Sequence, residues 1–281
     1  MQPEPQIAQP ASITRPAVDA LTTVAIASVA ISLVQILHEG THAAACVAVG
    51  AGIREMSALH VSCHAAVVWQ SKLVSASASI VNFIVGTLAF VLLRRRRGWS
   101  SEMTFFVWLF FLMNWLAAGG YWMFSGVGNV GDWAYVIDGW SPHWLWRLGM
   151  AVAGAAVYMA LVWTALRVLG TIIGGADPDE QIRRAVRLGL YAYVTVFGVI
   201  FVAGMFNSYG ITGLPALAAL ALALGGMSPL LWMMQWFRSK GFVKTPGEPL
   251  SIRRRWAWVI AGVAAVLVYV VLLGPTIHFG A

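Results

Sequence analysis

Seven stretches of twenty or more predominantly apolar residues occupy most of this chain, and no other feature restricts its fold so severely. They run over 18–50, 73–93, 103–127, 144–173, 188–208, 211–236 and 256–277. Each is long enough to carry a helix through a hydrocarbon core about 30 Å thick. Only 10% of the residues are charged, against 59% hydrophobic, where a soluble domain carries about 25% charge. So few polar groups cannot cover a globular surface, and lipid is the natural solvent. Helices satisfy their own backbone polar groups in lipid. The expectation is an all-α membrane protein with about seven transmembrane helices.

The segments between the spans add detail. Residues 51–72 read AGIREMSALHVSCHAAVVWQSK, too polar to span and mixed with β-branched residues. They predict a short membrane-associated β-hairpin after the first helix. Residues 1–17 are polar and proline-rich and predict a flexible tail, without the basic-then-apolar pattern of a signal peptide. Thr245-Pro246-Gly247-Glu248-Pro249 predicts a turn within the connector 237–255. The chain thus divides into the tail, three spans over 18–140, and four further spans over 141–281. The two cysteines, Cys46 and Cys63, allow at most one bridge. Cys46 lies in an apolar span and reads as a small buried hydrophobe.

The net charge of +7 is placed in clusters. Arg94 to Arg97 follow span two, and Arg183, Arg184 and Arg187 lie between spans four and five. Arg238, Lys240, Lys244 and Arg253 to Arg255 lie between spans six and seven. With seven crossings, all three connectors share one side, while the other side has only Arg54 and Lys72 in its first connector. The positive-inside rule then places the N-terminus in the cytoplasm and the C-terminus outside, in the cytoplasmic membrane of a bacterium. Each cluster abuts a span end, which argues against a nucleic-acid partner.

Within the first span stands His38-Glu39-Gly40-Thr41-His42. Residues four apart share a helix face, so His38 and His42 can hold one zinc ion, with Glu39 beside them as general base toward water. With 6 His in 281 residues and about as many Glu, shuffling would produce this pattern on the order of 0.3% of the time. Ionisable groups inside an apolar span are costly to bury and are functional by default. A catalytic zinc takes a third protein ligand. Asp177 and Asp179 fall on the cytoplasmic side, and Asp19 is about five turns away along the same helix. That leaves Asp132 and Asp138 in GVGNVGDWAYVIDGW, at the outer face like the motif. Asp132 is preferred because Gly126, Gly128 and Gly131 permit close backbone approach and Asn129 can support it. Its ordinary alternative is a helix N-cap. Asp138, in a turn-like Asp-Gly pair, is the second choice. His60 and His64 read as interfacial polar residues near the site, with a second metal pair as the alternative. His143 and His278 also read as interfacial.

These residues resemble the site-2 protease family of intramembrane zinc metalloproteases. HEGTH is similar to its H-E-x-x-H helix, and Ser77-Ala78-Ser79-Ile80-Val81-Asn82 is similar to its A-G-P-x-x-N stretch, with Ala78 and Ser79 in place of Gly and Pro. The family's later aspartate ligand corresponds to Asp132 or, through Ile137-Asp138-Gly139, to Asp138; the N-x-x-P-x-P run that often precedes it is missing. The resemblance covers residues 20–140. It implies a zinc endopeptidase acting on transmembrane or membrane-associated peptides. Asn82 would position substrate or its oxyanion, and 51–72 would supply strands to pair with an extended substrate. Family members usually carry the catalytic side nearer the cytosol, whereas the charges here place it outside. The competing reading is a non-proteolytic membrane protein that binds or transports a metal, and hydrolysis of a lipid or small amphiphile is a third. A transporter would be expected to carry more polar residues than the Tyr191, Tyr193, Thr195 and Asn207 of spans four to seven.

Overall fold

The computed structural model describes residues 17–239 and 247–280. The expected tail, apart from Ala17, and Thr245 and Pro246 of the expected turn lie outside these residues. The first helix, α1 (Ala20–Ala48), starts where Asp19 caps it: the carboxylate accepts from the Thr22 N–H at 2.8 Å and the Thr22 hydroxyl at 2.7 Å, satisfying donors that a helix start leaves free. A hairpin of β1 (Ile53–Met56) and β2 (Val61–Cys63) follows, as its composition predicts. Helix α2 (Val68–Arg94) begins earlier than its apolar run, because the Gln70 side chain accepts from the N–H groups of Ala66 and Val67 at 3.0 and 3.2 Å.

Helix α3 (Ser101–Gly128) leads into a short α4 (Asp132–Ile137), which periodicity did not reveal. Then come α5 (His143–Ile172) and α6 (Pro178–Phe206). The sixth span, Leu214–Phe237, is built from α7 (Leu214–Ala221), a wide π-helical turn and α8 (Pro229–Ser239). The last helix, α9 (Trp256–Val266), continues as π-helical turns to Leu272. Among the described residues, six helices are thus long and apolar enough to cross a membrane, with Trp256–Leu272 as a shorter seventh. This is an all-α membrane architecture with a small sheet.

The shorter helix nevertheless reaches from the start of α1 to the hairpin turn. At its start, Arg254 pairs with Asp19 at 2.9 Å and the Arg255 N–H donates to Thr22 Oγ1 at 3.1 Å. At its end, the Tyr269 hydroxyl donates to the Ala58 carbonyl at 3.1 Å, and the Ala58 N–H donates to the Leu273 carbonyl. Gly262 lies directly on Ala25, where a side chain would collide with backbone; small residues permit such close approach. A third strand, β3 (Ile277–His278), then joins β1, giving the sheet order β2-β1-β3. This strand is a finding of the structure alone.

The molecule therefore has two unlike ends. One gathers arginines: Arg96 donates to the Thr171 carbonyl at 3.0 Å, and the buried Arg184 ties Gly174, Glu180 and Leu250 together at 2.9, 2.6 and 2.9 Å. The other gathers the C-terminal half of α1, the sheet, α4 and the start of α7.

Candidate metal centre

Helix α1 turns a polar stripe inward. Ser28, Ser32, Gln35, His38, Glu39 and His42 are all buried, at spacings of three and four that place them on one helix face. A polar stripe inside an apolar span is stable only when other helices satisfy it. For the two histidines, α2 does so. The His38 Nδ1 lies 2.7 Å from Asn82 Oδ1, and the His42 Nδ1 lies 2.8 Å from the Val74 carbonyl. The carbonyl can only accept, and Asn82 turns its own NH2 to Asn114 Oδ1 at 2.7 Å. Both Nδ1 atoms therefore carry the proton, and both Nε2 atoms present lone pairs.

Those lone pairs meet Asp132. Its Oδ2 lies 3.2 Å from His38 Nε2 and 3.4 Å from His42 Nε2, is buried, and receives no hydrogen bond. One ligand atom from each of the three residues lies within 4.8 Å of the others. Three electron-rich atoms at this spacing repel unless a cation lies between them. A tetrahedral ion with bonds of about 2.0–2.1 Å sets its ligands about 3.3–3.4 Å apart, close to the 3.2 and 3.4 Å of the two histidine–aspartate pairs. The group can hold a metal ion.

The turn into α4 aims Asp132. Asn129 takes the left-handed conformation at φ 54° and Gly131 sits at φ 83°. A side chain at Gly131 would be strained and would press on the Tyr121 ring 3.3 Å away. Gly131, and not Asp132, occupies the N-cap position, so the carboxylate is left for the imidazoles. Tyr121 stacks on His38 with ring centroids 5.2 Å apart and planes at 12°.

The centre opens into a cavity of about 570 Å3 lined by Gln35, Glu39, His42 and Asp132, by Leu59 to Val61 of the hairpin, and by Tyr209 to Ala219 in part. Its size is that of a small-ligand site. Glu39 faces this space next to the ligand group without belonging to it. The later helices, without an expected role, hold the hairpin in place. Asn207 donates to Ser57 Oγ at 3.1 Å, Tyr269 holds Ala58, and Tyr209 donates to Glu55 Oε2 at 2.8 Å.

The structure brings His38, His42, Glu39 and Asp132 together, and departs from several other expectations. Asn82 is fully buried with both ends of its amide spent on His38 and Asn114, so it fixes the His38 ring. Asn129 bonds His143 at 2.9 Å and does not support Asp132. Gly126 serves α5 packing, with Ala151 and Arg147 against it. Asp138 lines the cavity, and its backbone carbonyl accepts from Lys72 Nζ at 2.6 Å, but its carboxylate is not in the ligand group. Cys46 is not a free hydrophobe: it is bonded to Cys63, with Cα atoms 5.7 Å apart. His60 turns to Glu55 and His64 is exposed, in keeping with the reading of both as polar residues near the site. His278 also reaches Glu55, at 3.5 Å.

Sequence reasoning missed Asn114, Tyr121 and the Val74 carbonyl. Asn114 carried a usable signal: it is a lone amide in the apolar run FVWLFFLMNWL, and polar groups in spans find partners. The other two carried none. Comparison with protein families, with curated proteins and with solved structures finds no match to this chain.

Proposed function

We propose that this protein is an intramembrane zinc endopeptidase, similar to the site-2 proteases, that hydrolyses peptide bonds of transmembrane or membrane-associated substrates. The observation that carries the proposal is the convergence of His38 Nε2, His42 Nε2 and Asp132 Oδ2, with both Nδ1 atoms already engaged, beside Glu39 at a cavity. Two imidazoles and one carboxylate are the donor set of catalytic zinc. The metal supplies Lewis acidity, which makes water a nucleophile near neutral pH. Glu39 accepts the proton of the attacking water and passes it to the leaving nitrogen. Asn82 and Val74 keep the imidazoles in the ligating tautomer. The free edge of β2 beside the cavity suits an extended substrate.

Metal transport is less well supported. Among the described residues, no second His/Cys/Asp/Glu cluster of metal-binding geometry lies along the chain. The polar groups of the later helices are spent locally, as Thr195 on the Tyr191 carbonyl and Tyr193 on the Leu224 carbonyl.

The orientation proposed puts the metal centre on the outer side. The arginine-rich connectors favour a cytoplasmic position for the opposite end, and the Cys46–Cys63 bond lies at the metal end, where an oxidising compartment would preserve it. The test purifies the protein in detergent and measures zinc content and cleavage of a membrane peptide. Glu39→Gln should keep the metal and lose cleavage. Cleavage unaffected by Glu39→Gln, or metal flux in liposomes that survives it, overturns the proposal.

A further inference from the structure

Four tyrosines in the second half of the chain settle their hydroxyls on the protein. Tyr158 donates to the Gly226 carbonyl at 2.6 Å, Tyr193 to that of Leu224 at 3.0 Å, Tyr269 to that of Ala58 at 3.1 Å, and Tyr209 to Glu55 Oε2 at 2.8 Å. Tyr121, about two turns before the end of α3, does not. Its hydroxyl finds no hydrogen-bond partner among the described residues, yet it is not sealed in: the residue is only partly buried and lines the cavity with Glu39, His42 and Asp132. An unpaired hydroxyl inside an apolar bundle costs stability, and phenylalanine would fill the same space without that cost. Packing explains the ring of Tyr121 and leaves its hydroxyl without a task.

The ring is held between two metal ligands. Its face stacks on His38, with centroids 5.2 Å apart and planes at 12°. Its Cε1 edge, next to the hydroxyl, lies against Gly131, where a side chain would meet it at 3.3 Å, and Gly131 immediately precedes Asp132. The hydroxyl is within electrostatic reach of Asp132 and of Glu39. A phenol ionises only near about pH 10, so at neutral pH this one carries a proton to donate. A donor fixed by stacking, unpaired, and set beside both the ligand group and the water-activating carboxylate is placed to meet charge that develops there.

We infer that Tyr121 is a further catalytic residue, whose hydroxyl donates a hydrogen bond to the oxygen of the scissile carbonyl as that oxygen gains negative charge. The proton stays on Tyr121, and no covalent bond to it is made or broken. A hydrogen bond to a charged oxygen is stronger than one to a neutral carbonyl, so the contact favours the transition state over bound substrate. The inference rests on the peptidase reading.

Its test compares wild type, Tyr121→Phe, Glu39→Gln and a control, Tyr135→Phe, in detergent. Tyr135 lines the same cavity but is 62% exposed. Tyr121→Phe keeps the stack on His38 and deletes the hydroxyl alone. Five quantities are measured: zinc content, unfolding temperature, kcat and KM on a membrane peptide, affinity for a phosphinic peptide of tetrahedral shape, and affinity for the matching uncleaved amide. Loss of one such donor lowers kcat by about 10²–10³-fold. Tyr121→Phe should show that drop, with zinc content and KM within about twofold of wild type. It should bind the phosphinic peptide correspondingly more weakly and the amide unchanged. Its unfolding temperature should be no lower than that of wild type, because the hydroxyl has no partner to lose. Tyr135→Phe should match wild type throughout. Loss of zinc or of the fold in Tyr121→Phe makes the hydroxyl a structural group and overturns the inference, and a raised KM at unchanged kcat makes it a binding contact and does the same. Cleavage by Tyr121→Phe at the wild-type rate, while Glu39→Gln is inactive, overturns this inference alone. Wild type without zinc and without cleavage overturns the peptidase reading.

Discussion

Replacing Asn82 by Leu tests the tautomer argument on which the metal centre depends. The change keeps the branched shape of the side chain and removes two hydrogen bonds of 2.7 Å, to His38 Nδ1 and to Asn114 Oδ1. Asn114 keeps its own bond to the Phe110 carbonyl at 2.8 Å, but its Oδ1 loses its donor in a fully buried position. His38 is then free to rotate or to move its proton to Nε2, which turns a ligand into a donor. Losing such a support weakens metal binding about 10- to 100-fold, or about 1.4–2.7 kcal/mol. Each polar group left buried and unpaired costs stability about 1–3 kcal/mol. Competition against a chromophoric chelator measures the zinc dissociation constant on purified protein, and thermal unfolding measures the rest. Asn82→Asp keeps an acceptor for His38 Nδ1 and should hold zinc far better than Asn82→Leu. Zinc binding by Asn82→Leu as tight as wild type would falsify the assignment of Asn82 as the group that orients His38.

Other perturbations separate the remaining claims. Asp132→Ala should weaken zinc binding by more than the roughly 100-fold limit of a supporting residue, while Asp138→Ala should leave zinc content near that of wild type; the reverse would exchange their roles. Cys46–Cys63 closes a loop of sequence separation 17 and should contribute about 3 kcal/mol. Cys63→Ser should lower the unfolding temperature, and thiol labelling of the unfolded wild type should require prior reductant. Tyr269→Phe deletes the bond to the Ala58 carbonyl and should destabilise by about 1 kcal/mol, read as a lower Tm with zinc retained. A hydrogen bond from Arg254, helped by those from Thr22 and opposed by burial, lowers the Asp19 carboxyl to about 2. A depressed folded-state value means stability present above about pH 4 and lost as the pH falls toward 2. Asp19→Asn should flatten that part of the Tm-against-pH curve, and an unchanged slope would remove Asp19 as its source.

What the sequence determined was local. The apolar runs dictated helices, because lipid leaves the backbone no other partner. Four-residue spacing put His38 and His42 on one helix face before any neighbour was known. Topology narrowed the third ligand to Asp132 and Asp138, since only they lay at the motif's end of the spans. The polar β-branched segment gave the hairpin, and turn residues around Gly131 marked a backbone that could bring a carboxylate in close.

The tertiary structure decided which faces meet. His38 finds Asn82 44 residues away, Asn82 finds Asn114 a further 32 away, and Tyr269 holds Ala58 from 211 positions along the chain. Periodicity fixes the face a residue occupies but not the partner across from it, because helix packing is a choice among many pairings of similar apolar surfaces. The same reason hid the fixing of the hairpin by the last helices, the pairing of β3 with β1 and the Cys46–Cys63 bond. Asp132 over Asp138 was decided in the same way: both belong to one short stretch, and only the left-handed turn at Asn129 and Gly131 directs one carboxylate to the imidazoles while α4 carries the other past them.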